Sequence, residues 1–570
     1  MKLVNHLVRN KRALRASLAG MILFSIALSH AGCFLNQQVE PYYGRVAPPG
    51  AQQFRWSDGG VPQTFDPAFA AAPPDTDLVR AIFEGLTEYD PRTLTPVPGV
   101  ATRWEPSEGG RVWTFYLRDD ARWSNGAIVT AEDFVRSWQR TAKLGDLAPH
   151  TNLLANIQGT TKQAVAVVRN GGPASGVTSA KRTDSISETR FGAEALSDHV
   201  LRVRLRQADM NFPALVAHPV FRPVKIAAGT VLGKLPPETL LSNGAFSLSK
   251  NDADRVVLER AENYWDRQQV TLQSVEFVGA RDTESALAAY RSGNVDALTN
   301  AALEPLAIKL LAPYEDFRRS TYGALTYYTF NTSHAPFDDV RVREALAIAI
   351  DRDRISADHT GGATEPAKRF LPQSQTEMPS AVVGKSDRLE NDNKRAQELL
   401  SEVGFPDGKD FPPVRLLVNR NEQQRIVAQA VAEMWRSVLN IQTEVVVKNW
   451  DEYEAAIRSG DFDVVRRGMV MQTTDELTNI RTMFGDETVA PAIETPGDST
   501  RSKNASISLP AIDTEAKALA DLSSMPIYFA SSYALVKPYV SGFDANVLDA
   551  PSLKTVRIDT GWKPPASPAR

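Results

Sequence analysis

"VRLLVNRNEQQRIVAQAVAEMWRSVLNIQTEVVVKNWDEYEAAIRSGDFDVV", residues 414–465, decides the fold. The short apolar runs "VRLLVN" and "IQTEVVVKNW" read as strands. The stretches "EQQRIVAQAVAEMWRSVLN" and "DEYEAAIRSG" carry apolar residues at helical spacing, and "DFDVV" is strand again. Strand, helix, strand, helix, strand in this order is the unit of an α/β lobe. The last strand continues as "GDFDVVRRGMVMQTTDEL", residues 460–477, apolar through Met471 and polar from Gln472. A strand that stops abruptly on polar side chains is placed to deliver one of them into a cleft.

The same reading extends outward. "FRWSDGGVPQTFDP" is a short strand meeting Gly59-Gly60, and "DTDLVRAIFEGLTEYDP" is a helix with an Asp cap and Leu78, Ile82, Phe83 and Leu86 at helical spacing. "VWTFYLRDDARWSNG" alternates as a strand and turns at Asn125-Gly126. "TAEDFVRSWQR" opens on a Thr cap with an acidic first turn. "HVLRVRLRQ" and "VVLERAENYWD" are strands, "ESALAAYRSGNVDAL" is helix, glycine stop and strand, and "VRVREALAIAIDRDRI" reads as one amphipathic helix. "NKRAQELLSEVGF" is a helix with its stop at Gly404. Residues 162–189 and 486–509 have loop composition, and "SMPIYFASSYALVKPYVSGF" returns to strand.

A chain of 570 residues exceeds one core, so two or more lobes are expected. A net charge of −4 without a long basic run argues against nucleic acid as partner. The N-terminus carries Lys2, Arg9, Lys11, Arg12 and Arg15 ahead of "ASLAGMILFSIAL", the layout of a signal peptide over residues 1–32. Two cleavage readings stand: ordinary cleavage after Ala31, or a lipobox-like Ala31-Gly32-Cys33 with Cys33 as lipid anchor, His30 departing from that pattern. Cys33 is the single cysteine, which excludes disulfides and CxxC metal sites. Residues 33–53, rich in Pro and Gly, read as a tether.

Motifs of reaction chemistry are missing from the sequence: no GxSxG, HExxH, Walker loop or GxGxxG, and seven histidines without metal-ligand spacing. No enzyme, metal or cofactor is expected. The adjacent pairs Asp119-Asp120 and Asp338-Asp339 read as solvated turn carboxylates, because neighbours on a strand face opposite ways. Trp435 falls mid-helix on the apolar face and is expected in the core. Trp450 ends a strand between Asn449 and Asp451 and is a candidate cleft residue.

Ordered blocks then carry a resemblance: "IFEGLTEYDP", "PGVATRW", "VWTFYLRDDARWSNGAIVTAEDFVRSWQR", "NGAFSL", "YRSGNVDAL", "YYTFNTSHAPFDDVRVREALAIAIDRD", "LLSEVGFP", "GDFDVVRRG" and "ALVKPYVSGF". Across residues 54–556 the chain resembles the extracytoplasmic solute-binding proteins of peptide-type ABC transporters, closest to their oligopeptide-binding branch. The resemblance implies an α/β fold of the type II periplasmic-binding-protein kind, two hinge-linked lobes closing on a ligand and a third flanking them. Mapped here, lobe I takes 54–77, 190–279 and 523–570, lobe II 78–189 and lobe III 280–522. It further implies a periplasmic or envelope-anchored monomer that captures peptides and delivers them to a membrane permease. Carried over by position, Trp450 would line a side-chain pocket and Arg466 would lie near the ligand, with His150 near a tyrosine position of the branch. Two positions depart: Met469 stands where the branch has a tryptophan, and Gln472 where it has the aspartate that pairs with the peptide α-amino group. Asp475 is the substitute if the loop shifts register. Otherwise the ligand is amine-blocked or not a peptide. A secreted hydrolase or a signalling lipoprotein are the readings from other classes.

Overall fold

The computed structural model describes residues 41–160, 191–225, 239–372, 387–484 and 512–564. The leader, Cys33, the 162–189 stretch and the 486–509 stretch therefore lie outside the described residues.

The β-α-β-α-β run folds as its periodicity predicts. Strand Val414–Asn419 pairs in parallel with Thr443–Lys448 on one side and with Val464–Val470 on the other. The connecting helices are Glu422–Leu439 and Trp450–Ser459. Asn421 and Asn449 cap these helices through their side chains, and Asn440 and Gly460 end them in the left-handed conformation. Trp435 is fully buried and donates its indole N–H to Leu346 O at 2.8 Å.

These strands form one end of an eleven-stranded mixed sheet. The order continues through Phe317–Phe330, Ser524–Val536, Ala297–Thr299, Gln53–Asp58, Ser274–Val278 and Arg255–Arg260 to Phe246–Asp252, and the eleventh strand, Thr364–Pro366, pairs with Ser524–Val536 off this path. The two long central strands serve both halves. Phe317–Phe330 pairs with Ser524–Val536 over three registers, with the long break between Thr321 and Leu325 and a second shift between Thr326 and Tyr327. Two large cores lie on the two sides of this break. One gathers Phe54, Trp56, Trp123, Trp138 and Phe277, the other Tyr328, Leu416, Trp435, Val464 and Ile527. Gly323, inside the break, bonds Val547 O through its N–H and receives the Met471 N–H on its carbonyl. A Cβ there would come within 2.9 Å of Val547 O, so the crossing of three segments requires glycine.

A separate four-stranded sheet, Ala101–Ser107, Val112–Leu117, Val200–Arg204 and Ala193–Ser197, carries helix Ala131–Leu144. That helix opens on the expected capping box. Thr130 N–H donates to Asp133 Oδ2 at 2.9 Å, and the Trp123 indole shares the same oxygen at 3.1 Å.

Several boundaries differ from the sequence reading. Strands Ala193–Ser197 and Val200–Arg204 pair with the four-stranded sheet, which moves them from lobe I to lobe II. Ala297–Thr299 pairs in parallel with Gln53–Asp58, which moves it and helix Thr283–Ser292 from lobe III to lobe I. The tether ends earlier than residue 53: Tyr43 N–H bonds Asp316, its ring stacks on Tyr290, and Arg45 N–H bonds Arg291 O. The first helix stops at Ile82, with Phe83 already extended. The helix expected over 340–355 ends at Ile348. Asp351 caps a new turn, and Arg352 folds inward onto the carbonyls of Ala347, Ile350 and Pro526.

Candidate ligand cleft

The polar segment that ends strand Val464–Val470 is an ordered corner hung on the break in the central strands. Asp475 N–H donates to Thr473 Oγ1 at 3.1 Å, Asn479 Nδ2 to Thr473 O at 2.8 Å, and Thr478 N–H to Asp475 Oδ2 at 2.7 Å. Asp475 thus starts helix Glu476–Phe484 as a capping residue and is fully buried. Its other oxygen has no N–H donor and faces the Asp209 carboxyl.

Gln472 and His150 come together through a residue that sequence reading did not single out, His218. The buried His218 accepts the Val220 N–H on Nδ1 at 3.1 Å and lies near the Gln472 side chain. The His150 ring meets it edge to face at 4.9 Å, and His150 Nε2 donates to Ala71 O at 2.9 Å. Burial is the largest cause holding both imidazoles below the ordinary histidine range. For His218 the neighbouring His150 and Arg80 add to it. Beside them the Tyr89 hydroxyl donates to Ala214 O at 2.6 Å and lies 3.2 Å from the Thr473 hydroxyl. His218 carries no local signal in sequence, because its partners Gln472 and His150 arrive from distant segments.

Arg80 is the cation of this region, 3.0 Å from Asp77 Oδ1. Three carboxyls surround it. Asp58, at the end of strand Gln53–Asp58, accepts Thr299 Oγ1 and Asn300 Nδ2 at 2.7 and 2.5 Å and shares a hydrogen bond with Asp77. Burial raises both, and Asp549, which accepts Ser532 Oγ at 3.0 Å, is pushed up by burial to about 6.

The remaining candidates form a second group. Trp450 is the first residue of its helix, 60% exposed, with its ring 5.6 Å from that of Tyr453. It therefore begins a helix where the sequence reading had it end a strand. The Tyr453 hydroxyl donates to Arg466 O. The Arg466 guanidinium lies over Gly468 and reaches Thr326 Oγ1 at 3.4 Å. Met469, on the opposite strand face, packs into the second core beside Leu325. A Cβ on Gly468 would meet Arg466 Nη2 at 3.0 Å. Gly468→Ala should displace that guanidinium and weaken ligand binding by about tenfold, the worth of one charge-assisted hydrogen bond. Titration calorimetry reads the loss, and an unchanged thermal midpoint separates it from unfolding.

Comparison with known proteins falls on the same chain. Residues 95–490 match the family described as bacterial extracellular solute-binding proteins, family 5. The periplasmic oligopeptide-binding protein OppA of Salmonella typhimurium is 30% identical over 85% of this chain and 89% of its own length. The periplasmic murein peptide-binding protein MppA of Escherichia coli is 30% identical at the same coverages. A solved MppA structure, the unliganded open form, superposes with a TM-score of 0.70 at 27% identity, covering 90% of this chain and 98% of that one. The probable deoxycholate-binding periplasmic protein YgiS of Escherichia coli is 29% identical over 86% of this chain and 90% of its own length. Among the described residues no helix is long and apolar enough to cross a membrane.

Proposed function

Because this chain belongs to the bacterial extracellular solute-binding proteins of family 5, we propose that it is the substrate-binding component of an ABC importer. It captures peptides between the two halves of the large sheet and delivers them to a membrane permease. The observation that carries this reading is the register break in the central strands. The central strands change register between Thr321 and Leu325, and the Gln472 segment is anchored at that break through Met471 and Gly323. A ligand touching it would bear on the relation between the two cores. The protein works as an exported monomer, released after Ala31 or anchored through Cys33, and without a cofactor.

Native mass spectrometry of the purified protein, followed by calorimetry with tripeptide mixtures, tests the proposal. A co-purified peptide mass, or saturable binding of the mixture well below millimolar concentration, is expected. No bound mass and no binding at millimolar peptide would sink it. A second reading, a ligand lacking a free α-amino group, is favoured by Gln472 at the position of the amine-pairing aspartate. It agrees with YgiS, a relative named for deoxycholate.

A further inference from the structure

Residues 41–45 are tied down along their whole length. Glu315 N–H donates to Pro41 O at 2.8 Å, Tyr43 N–H to Asp316 Oδ1 at 2.9 Å, Lys537 Nζ to Tyr43 O at 3.0 Å and Arg45 N–H to Arg291 O at 2.8 Å. The Tyr43 ring meets Tyr314 edge to face at 5.3 Å. Pro41 is thus fixed four residues beyond the end of helix Pro305–Leu311. That helix is fastened by Leu311, which is buried in a small core with Tyr290 and Leu298, and Tyr43 packs against the same core. Its other side is bare. Leu306 and Leu310 are 68% and 65% exposed and, four residues apart, stand on one face. Ala302, Pro305, Ala312 and Pro313 around them are exposed as well. Among the described residues no other two exposed large apolar side chains share a helix face.

We infer, resting on the reading in which Cys33 anchors the chain to a membrane, that the Leu306–Leu310 face is a second contact with that same lipid surface. Length selects this occupant. Eight residue steps separate Cys33 from Pro41, and fully extended they span at most about 28 Å. A folded chain of this size is more than about 60 Å across. A lipid on Cys33 therefore keeps the side that bears Pro41 toward the bilayer, and helix Pro305–Leu311 lies on that side. The exposed charges around the two leucines, Glu304, Lys309 and Glu315, nearly cancel. The surface that fits is a zwitterionic headgroup layer entered by the leucines, since an anionic one would find no basic cluster to attract. Two leucines alone hold a bilayer weakly. Behind a short anchor the contact becomes intramolecular, and a weak attraction is enough to keep one orientation.

The lipidated full chain, with a fluorophore on Lys309→Cys, tests this in phosphatidylcholine vesicles that contain nitroxide-labelled lipid. Cys33 is the single native cysteine and has its sulfur in the lipid linkage, so the label goes to position 309. A second preparation carries the label on Glu433→Cys, an exposed site on helix Glu422–Leu439 in the other half of the sheet. Nitroxide lipid should quench position 309 and leave position 433 bright. Leu306→Ser with Leu310→Ser, in the 309-labelled chain, should lower the ratio of docked to undocked protein about tenfold or more, and the quenching with it. Both side chains are exposed, so the variant should keep its fold, its flotation with the vesicles and its tripeptide affinity. Equal quenching at 309 and 433 in protein that floats with the vesicles overturns the inference and leaves the anchor standing. Quenching at 309 that survives the two serines overturns it as well. A signal at 309 that follows protein concentration in place of nitroxide lipid assigns the face to a second copy of the chain and overturns it too. Protein that carries no acyl mass and stays off the vesicles overturns the anchor and this inference together. Tripeptide titration of the same preparations reads peptide capture separately.

Discussion

Replacing Arg140 with alanine should destabilise the fold by about 3–5 kcal/mol, the cost of leaving a buried carboxylate without its partner. Arg140 projects from helix Ala131–Leu144 and sets Nη1 and Nη2 at 2.9 and 2.6 Å from the two oxygens of Asp66, both side chains being buried. Asp66 is also the centre of its own loop. Its Oδ1 accepts Ala68 N–H, and its carbonyl accepts the N–H groups of Phe69 and Ala70. One residue on, the Ala71 carbonyl holds His150. The loss of Arg140 therefore works in two ways. It strands a charge in the first core, and it loosens the loop that orients one wall of the His150–His218 pair. Arg140→Lys keeps the charge but not the two-pronged geometry and should recover part of the loss. The double change Arg140→Met with Asp66→Asn should be less damaging than Arg140→Ala alone, because no unpartnered charge remains. Urea midpoints of the four proteins supply the check. A loss below about 1 kcal/mol for Arg140→Ala would show that solvent reaches Asp66 freely.

The scaffold was legible wherever a periodic apolar pattern met its own stop signal. Residues 414–465 have Asn421, Asn440, Asn449 and Gly460 at the element ends, and every element appeared in the expected order. Periodicity misled where a charged side chain turned inward. The helix pattern over 340–355 runs past Ile348 on paper, but Arg352 draws the chain round to feed carbonyls from three segments, Ala347 and Ile350, Leu389, and Pro526, which no helical window registers. The proline-rich stretch before residue 53 looked free because its anchors, Tyr290 and Asp316, are remote in sequence. The cleft shows the same division. Gln472 and His150 were visible through the resemblance, whereas His218, which joins them, and Asp209 were not. Their chemistry exists only after two distant segments meet. Asp475 was visible, but its role is local. An Asp just ahead of a helical run is a cap, and capping is what its carboxylate does here.

Asp209→Asn should stabilise the protein in a strongly pH-dependent way, through the clasp that Asp209 makes with Asp475. Asp209 belongs to the first core's side, its carbonyl receiving the Trp113 indole N–H at 3.0 Å and its carboxylate the Asn211 N–H at 2.8 Å. Asp475 belongs to the corner that leaves the second core. The two buried carboxyls bond each other, which requires a proton between them. Burial, and next the Asp475 charge, push Asp209 up to about 7, while Arg481 and the Asn211 N–H pull the other way. Burial raises Asp475 as well, against the pull of Thr478 and Arg481, so the pair titrates as a unit. In the unfolded chain Asp209 gives up its proton near the ordinary value of 3.8, but in the native protein it keeps it to about 7. The native state then binds more protons across that window, and its stability falls as pH rises through it. The stabilisation from the shared proton is complete below about pH 4 and gone above about pH 7, a span on the order of 4 kcal/mol. Asparagine imitates the protonated acid, donating to Asp475 without a titrating proton. The variant should match wild type near pH 4.5 and exceed it by a few kcal/mol at pH 8, the gap opening between these limits. Denaturant unfolding of both proteins from about pH 4.5 to 8 measures the gap directly. A difference that stays constant across this range would mean that the two carboxyls are hydrated and independent. A gap that opens and then levels near pH 7 would place a proton at the seam between the cores.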